Sequence, residues 1–461
     1  MNADSSTFED GAASRGAAAR PGANPTWERW KVLAWLCCLS VFTYIGRVGI
    51  SGQLRENIEL DLHLTTAKTA YAISAFTLSY ALFELPSGWL GDRFGPRKVL
   101  TRVVLCWMVF TALTGASWSL VSLVFFRFMI GAGEAGAFPN IARATREWFP
   151  YRERGLAQGY VWMLARFGGA IAFPFLLVLT DLFGWRWTFV VTGAIGVVWV
   201  CFFWMRFRDT PKQDPKVNAA ERALIDEGKR ETAKPAPISW RNLLLSPTIW
   251  FLLMMYFCSN AGWSFFVSWI TPYLEGDLRL RGMKLALASG SPLFFGGIAC
   301  FLGGFLTDRM VRRWGRRWGR TLIGTIGYAF AGTAMVVAFK VTTHHAGMAL
   351  AAICFSSFAK DIGMAATWAI TIDVGHRYAG TVSGLMNSFG NMSQVLSVPI
   401  VAQLAILAGT ARHPNWKVSL YYYAAMFFIA AVCFVFVDPR RTVVYSDADR
   451  QRLEAEGSLS R

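Results

Sequence analysis

The 461-residue chain is 54% hydrophobic and only 16% charged, and it contains 20 Trp and 36 Phe. A mean hydropathy of +0.36 is far too high for a soluble protein of this size. The formal charge of +17 would suggest nucleic-acid binding in a soluble domain, but here Lys and Arg gather in short loops between apolar runs, where they orient membrane helices. The sequence therefore predicts an all-α integral membrane protein in a lipid bilayer, with no nucleic-acid partner.

Apolar runs long enough to cross a hydrocarbon core recur along the chain. The twelve predicted transmembrane spans are 31–52, 69–90, 99–118, 121–142, 156–181, 187–205, 248–273, 286–307, 321–340, 347–372, 381–408 and 417–437. Every second loop between them carries most of the basic charge, including six Arg between Arg309 and Arg320. By the positive-inside rule, these loops and both termini are predicted to lie in the cytoplasm.

The polar stretches divide the chain into segments. We predict a disordered cytoplasmic tail at 1–26, an N-terminal six-helix half at 27–205, a cytoplasmic linker at 206–247, a C-terminal six-helix half at 248–437, and a second cytoplasmic tail at 438–461. The pattern GxLxDR follows the second span at Gly88 to Arg93 and the eighth span at Gly304 to Arg309. Two halves with the same cytoplasmic turn are typical of a transporter that rocks about a site between its halves.

Enzyme signatures are missing from the sequence. The eight Cys form no CxxC pair and have no His at metal-ligand spacing, and no Ser/His/Asp set, HExxH or phosphate loop occurs. The sequence therefore predicts no catalytic residues, no metal and no cofactor.

The loop GWLGDRFGPRK, Gly88 to Lys98, resembles the signature of the major facilitator superfamily. Within it, the runs YALFELPSGWLGDRFGPR, RFMIGAGEAGAFPNIARATREWFP and GTVSGLMNSFGN resemble the anion:cation symporter family. This resemblance implies proton-coupled import of a small organic anion by rocker-switch alternating access, by a monomer in the cell inner membrane. An anion exchanger, an exporter or a non-transporting membrane sensor stays open. In helix one, Gly46 precedes Arg47 where the family typically has Asp.

Ionisable residues inside spans are costly in lipid and are therefore candidates for function. Arg127 and Glu134 lie seven residues apart on one face of a helix, so Arg127 is predicted to bind the anion and Glu134 to carry the proton. The alternative is a permanent structural pair between them. Arg47, three residues after Tyr44, is predicted to contact the substrate together with that tyrosine. Its alternative role is to pair with Glu134 in the empty protein.

Lys360 and Asp361 stand near the middle of the tenth span. Adjacent helical residues point about 100° apart, so they are not expected to face one partner. Asp361, on the same face as Trp368, is predicted to be a second proton-coupling or polar-substrate site, with a fixed ion pair to a neighbouring helix as the alternative. Arg166 either contacts the anion or points toward a loop.

Two further groups of residues complete the predicted site. Asn387, Asn391 and Gln394 form one polar stripe that can bind the hydroxyls of a sugar acid or make interhelical hydrogen bonds. The gating residues, which are predicted to latch the halves together at the cytoplasmic side, are Glu84, Asp92, Arg93, Arg97, Asp308 and Arg309.

Overall fold

The computed structural model describes residues 24–48, 52–227, 237–280, 282–342, 345–410, 415–440 and 443–455, and within these ranges all regular structure is helical. The first helices are α1 (Glu28–Val48), α2 (Gly52–Asp61), α3 (Thr66–Phe94), α4 (Pro96–Thr114), α5 (Leu120–Glu134), α6 (Ala137–Trp148), α7 (Arg154–Arg206) and α8 (Ala219–Asp226). They are followed by α9 (Trp240–Leu245), α10 (Pro247–Ser264), α11 (Ile270–Gly276), α12 (Gly282–Val341), α13 (Ala346–Asp361), α14 (Met364–Gly375), α15 (Ala379–Leu407), α16 (Ser419–Val435) and α17 (Asp447–Ala455).

Six helical stretches of the described chain are long and apolar enough to cross a membrane. They are Leu120–Trp148, Val178–Arg206, Pro247–Gly276, Leu287–Val341, Ala346–Leu407 and Trp416–Val435. The other predicted spans also fall on helices, although residues 49–51 at the end of the first lie outside the described residues. The number of helices that cross the bilayer stays a prediction, as does the disorder of the N-terminal tail, of which residues 1–23 also lie outside the described part.

Two long helices change direction at a glycine. α7 turns at Gly184 (φ 76°) and α12 turns at Gly315 (φ 76°). A positive φ favours glycine because a side chain there would clash with the backbone. Each turn lies in a predicted loop and separates two predicted spans, so α7 and α12 each provide two consecutive antiparallel segments.

Two other helices are interrupted directly after an acidic residue. α5 ends at Glu134, and Gly136 leads into α6; α13 ends at Asp361, and Gly363 leads into α14. Both interruptions have the sequence acidic residue, any residue, glycine. The two glycines have nearly the same backbone angles, with φ −80° and ψ −8° at Gly136 and φ −82° and ψ −9° at Gly363. The two acidic side chains therefore occupy equivalent local positions in the two repeats.

The helices before the linker, α1–α7, are called the N-terminal bundle, and α10–α16 the C-terminal bundle. Within the first, α1 packs on α7 and α3 on α5; within the second, α12 packs on α13 and α16. The bundles meet where α3 packs on α15 and where α7 packs on α12. The groups described below lie along these two contacts.

The linker is attached to the N-terminal bundle through Glu221 of α8. This buried carboxylate accepts hydrogen bonds from the Thr26 hydroxyl, from the Glu28 amide (3.0 Å) and from the Arg29 amide (3.1 Å), and it pairs with Arg29 Nη1 (3.2 Å). Burial opposes ionisation, but these hydrogen bonds outweigh it and hold the pKa of Glu221 below its usual value. Arg29 also pairs with Glu153 at 3.0 Å, so one cluster joins the linker, α1 and the start of α7.

Candidate functional site

Arg47 and Glu134 form an ion pair inside the N-terminal bundle. Arg47 Nε donates to Glu134 Oε1 at 2.8 Å, and the carboxylate is fully buried. The guanidinium lies over the ring of Tyr80, 4.3 Å from its centroid, and 5.4 Å from that of Tyr44. Arg47 Nη2 and Glu134 Oε2 are buried with no hydrogen-bond partner among the described residues. The pair therefore keeps one unused donor and one unused acceptor for a ligand or a proton.

Arg127 lies seven residues before Glu134 on α5, and no hydrogen bond among the described residues joins it to the pair. Its guanidinium packs over the Phe76 ring at 4.7 Å, and its Nε is buried with no hydrogen-bond partner in the described part of the chain. Glu134 bonds to Arg47 and not to Arg127, so the structure shows the alternative pairing considered for Arg47. A buried cation with an unpaired donor is costly unless an anion satisfies it.

Gly46, which stands where the resembled family typically has Asp, lies close to this ion pair. A Cβ at position 46 would lie 3.3 Å from Trp107 Nε1 and 3.8 Å from Glu134 Oε2. An acidic side chain at that position would therefore stand beside Glu134. Beside Arg47 this chain has one carboxylate, Glu134, whereas the family that it resembles typically has a second one at position 46.

Glu84 joins the two bundles through hydrogen bonds to α15. Its Oε2 accepts from Asn391 Nδ2 at 2.8 Å, and its Oε1 accepts from Asn387 Nδ2. Gln394 Nε2 continues the line by donating to Asn391 Oδ1 at 3.0 Å. The predicted amide stripe thus faces a carboxylate of α3 in this conformation. Glu84 lies with this central group and not with Asp92, which is eight residues further along α3.

A second charged group spans the contact between α7 and α13. Arg166 donates from Nε to Asp361 Oδ2 (2.8 Å) and from Nη2 to Asp361 Oδ1 (3.1 Å). Lys360 Nζ donates to the same Oδ1 at 2.7 Å, so the lysine pairs with its own neighbour in the chain. The expectation that Lys360 and Asp361 do not face one third residue stays a prediction, because this bond joins the two residues themselves. Arg166 Nη1 also donates to the Tyr44 hydroxyl.

A group of aromatic rings closes the space between the bundles. Phe138 stacks on Trp162 at 4.4 Å, and Trp368 lies 5.1 Å from Trp162 and 5.9 Å from Phe138. Trp368 is fully buried and donates from Nε1 to the Tyr256 hydroxyl at 3.2 Å. Trp368 of the C-terminal bundle thus packs against Phe138 and Trp162 of the N-terminal bundle.

Asp92 of the first GxLxDR pattern bonds to the N-terminus of α15. Its carboxylate accepts from the Gly380 amide (3.0 Å), the Thr381 amide (2.6 Å) and the Thr381 hydroxyl (2.7 Å). A negative charge at a helix N-terminus is stabilised by the unpaired amides and the helix dipole. The contact is close because Gly88 meets Gly380: a Cβ at Gly88 would lie 2.1 Å from the Gly380 carbonyl oxygen.

Asp308 of the second pattern makes the equivalent contact in the opposite direction. It accepts from the Gly155 amide (3.1 Å) and the Leu156 amide (2.7 Å) at the start of α7. A Cβ at Gly304 would lie 2.6 Å from the Gly155 carbonyl oxygen. Each copy of the pattern thus supplies a glycine for a close helix crossing and an aspartate that caps the crossing helix of the other bundle.

The other gating candidates lie around these contacts. Arg93 packs over the Trp89 ring at 5.3 Å, and Arg309 is exposed. Arg97 stays within the N-terminal bundle, where its side chain bonds to the Trp204 carbonyl and its amide donates to Asp209 at 2.7 Å. Among the described residues, none of these three cations forms an ion pair or a side-chain hydrogen bond between the bundles.

The sequence predicted no role for Arg320 beyond its contribution to the positive charge of a loop. It is fully buried and pairs with Asp308 (3.1 Å) and Asp373 (3.2 Å). Asp373 also pairs with Arg154 of the other bundle at 3.2 Å. The signal available was the repeated pattern itself, because a buried aspartate at its end requires a buried partner.

The helices form two bundles with buried charged groups along the contact between them, and Asp92 and Asp308 each cap a helix of the other bundle. This arrangement is typical of a membrane transporter. A family model of the Major Facilitator Superfamily matches residues 36–398 and 309–457. The chain belongs to the major facilitator superfamily. The predictions that it is a transporter of this superfamily and not an enzyme are confirmed. Among the described residues, no group of His, Cys, Asp or Glu could hold a metal ion.

Three similar proteins cover most of the chain. A probable sulfoacetate transporter of Cupriavidus necator is 34% identical over 90% of this chain and 95% of its own length. A probable galactarate/D-glucarate transporter of Bacillus subtilis is 29% identical over 86% and 89%. A D-galactonate transporter of Escherichia coli is 26% identical over 90% and 96%.

A solved structure shows the same fold. The proton:xylose symporter bound to 6-bromo-6-deoxy-D-glucose aligns with a TM-score of 0.70 at 13% identity, covering 92% of this chain and 98% of that one. A bacterial homologue of the lysosomal transporter Spinster aligns at 0.60 with 21% identity.

Proposed function

We propose that the protein is a proton-coupled importer of a small organic anion, either a sugar acid or a related carboxylate. The observation that carries the proposal is the Arg47–Glu134 pair beside Arg127, because it combines two cations and one carboxylate away from water. The similar transporters named above act on sulfoacetate, galactarate, glucarate and galactonate, which supports an anionic substrate.

The proposed arrangement in the membrane follows from the charge of the loops. Twelve spans form two six-helix halves, with 206–247 as the linker and with both termini in the cytoplasm of the inner membrane. The protein acts as a monomer. The Asp92 and Asp308 contacts then lie at the cytoplasmic side and hold it closed, and they must separate before the site can open inward.

Coupling between anion and proton follows from competition for Arg47. An anion that bonds to Arg47 and Arg127 removes the partner of Glu134. A buried carboxylate without a partner is too costly to remain charged, so Glu134 takes up a proton. After release of the anion, Arg47 pairs with Glu134 again and the proton leaves. One anion and one proton thus cross together.

Uptake into proteoliposomes tests the proposal. The purified protein is reconstituted, and labelled sulfoacetate, galactarate and D-galactonate are offered with an inward proton gradient, with and without a protonophore. We expect at least one of them to accumulate above its external concentration, and the protonophore to abolish the accumulation. Failure of all three to enter would contradict the proposal. Entry that needs an anion inside the vesicle, and no proton gradient, would make the protein an exchanger.

A further inference from the structure

The centre of the molecule contains more cations than carboxylates. Four buried or largely buried cations, Arg47, Arg127, Arg166 and Lys360, face only three carboxylates. The carboxylates are Glu84, Glu134 and Asp361. The excess is one positive charge, and it becomes two when Glu134 is protonated in the proposed coupling step. Because uncompensated charge is costly away from water, the site in that state favours an anion with two negative groups.

The excess is divided between two places. Around Glu134, the cations Arg47 and Arg127 outnumber the adjacent carboxylate. Around Asp361, Arg166 and Lys360 share a single carboxylate. Glu84 is held by Asn387 and Asn391 of α15. With Glu134 protonated and Glu84 charged, one positive charge remains in excess in each group, and each group can bind one negative charge.

The second group has free hydrogen-bond donors as well as charge. Arg166 offers five N–H donors and Lys360 three, and the hydrogen bonds among the described residues use one at each of their four nitrogens. Both cations lie over the face of Trp263, at 3.8 Å for Arg166 Cζ and 4.8 Å for Lys360 Nζ. The indole holds the two cations side by side, and their unused N–H groups can bind the oxygens of one acidic group.

The two groups are close enough for one small molecule. Arg47 Cζ lies 5.4 Å and Arg166 Cζ 5.5 Å from the centroid of the same Tyr44 ring. The two guanidinium groups are therefore no farther apart than the sum of these distances. A molecule that bonds to both needs acidic groups only a few ångströms apart, because each hydrogen bond bridges about 3 Å.

We infer that the substrate is a dianion, with one acidic group bound by Arg47 and Arg127 and the second bound by Arg166 and Lys360. This inference rests on the proposed function and specifies its substrate class. It assigns Lys360 to specificity: Lys360 adds the charge that a second acidic group requires. Asp361 positions Arg166 and Lys360 through the three hydrogen bonds that it accepts.

Matched pairs of anions test the inference by isothermal titration of the purified full-length protein. Galactarate and D-galactonate differ by one terminal carboxylate, and sulfoacetate and isethionate differ by a carboxylate in place of a hydroxymethyl group. We expect at least one dianion to bind about tenfold or more tightly than its matched monoanion. Lys360→Gln should remove this preference without weakening monoanion binding. Lys360→Arg and the exposed control Lys340→Gln should keep it.

Each result separates the inference from the proposed function. Equal affinity for a dianion and its monoanion in the parent protein would overturn the inference and leave anion transport standing. An equal loss of affinity for both members of a pair in Lys360→Gln would show a structural role of the lysine and would also overturn it. Failure of all four anions to bind or to be transported would overturn the proposed function and the inference together. The parent comparison needs no variant, so a misfolded Lys360→Gln would leave the test intact.

Discussion

The ion pair between Arg47 and Glu134 sets the chemistry of the site at the scale of single residues. Taking two charges out of water is costly, and their attraction repays the cost only when the geometry is good and the remaining donors are satisfied. Here Arg47 Nη2 and Glu134 Oε2 stay unsatisfied, and Arg127 Nε nearby is also unpaired. A pair of this kind is stable enough to exist in the empty protein and can be exchanged for a ligand.

Neutralising either arginine should therefore weaken anion binding. We expect Arg47→Gln and Arg127→Gln each to reduce the binding free energy by about 1.5–3 kcal/mol, the value of a hydrogen bond to a charged group. Isothermal titration measures the change, and Arg206→Gln, at the exposed end of α7, is the control. Unchanged affinity in both variants would remove the anion site as described.

At the scale of elements, each GxLxDR pattern joins a helix crossing to a helix cap. Gly88 and Asp92 act on α15, whereas Gly304 and Asp308 act on α7. Both contacts join one bundle to the other. The repeated pattern thus has a repeated structural effect, which relates the two bundles by approximate symmetry.

The cap at α15 is predicted to stabilise the closed end. Asp92→Asn keeps the shape of the side chain and removes its charge, which should weaken closure by about 1–2 kcal/mol. We expect slower transport, greater labelling of cysteines at the cytoplasmic side, and unchanged ligand affinity. Asp226→Asn, exposed on α8, serves as the control. Labelling and transport both equal to those of the parent would show that this cap is not a latch.

The linker cluster gives a pH-dependent prediction. Because the folded pKa of Glu221 lies below the unfolded value of about 4.3, its contribution to stability is present above that pH and is lost as the pH falls through the folded value. We expect Glu221→Gln to lower the free energy of unfolding by about 1.5–3 kcal/mol at pH 7. The difference from the parent should shrink below about pH 4.

Thermal unfolding in detergent at several pH values measures this effect. Glu227→Gln is the matched control, since within the described ranges the ion pair of Glu227 is an exposed one with Arg152 at 3.8 Å. A difference between the Glu221 variant and the parent that does not shrink as the pH is lowered well below 4 would contradict the assignment of the stabilisation to the ionised carboxylate.

At the scale of the whole molecule, apolar periodicity predicted the positions of the helices well. α3 extends the predicted span 69–90 by a few residues at each end, and α15 nearly coincides with 381–408. The repeated pattern also indicated the two bundles. These features depend on local sequence, because the length of an apolar run and the position of glycine are properties of neighbouring residues.

Ion pairs between side chains of different helices could not be predicted in the same way. Helical spacing placed Arg127 and Glu134 on one face, but the choice of Arg47 as the partner of Glu134 depends on how α1 packs against α5 and α6. The bond between Lys360 and Asp361, consecutive residues at the end of α13, likewise depends on the reach of the long lysine side chain. Side-chain reach and tertiary packing decide such pairs, and neither is read from spacing alone.

We propose that Glu134 couples the proton to the anion. Proteoliposomes with Glu134→Gln test this directly, because they allow anion exchange and pH-driven accumulation to be measured separately. The glutamine mimics the protonated side chain, so exchange of labelled for unlabelled anion should continue while accumulation driven by a pH gradient is lost. Glu227→Gln should retain both modes. Proton-driven accumulation by Glu134→Gln at the level of the parent would contradict the account. If Asp361→Asn then abolished it, coupling would lie in the second charged group.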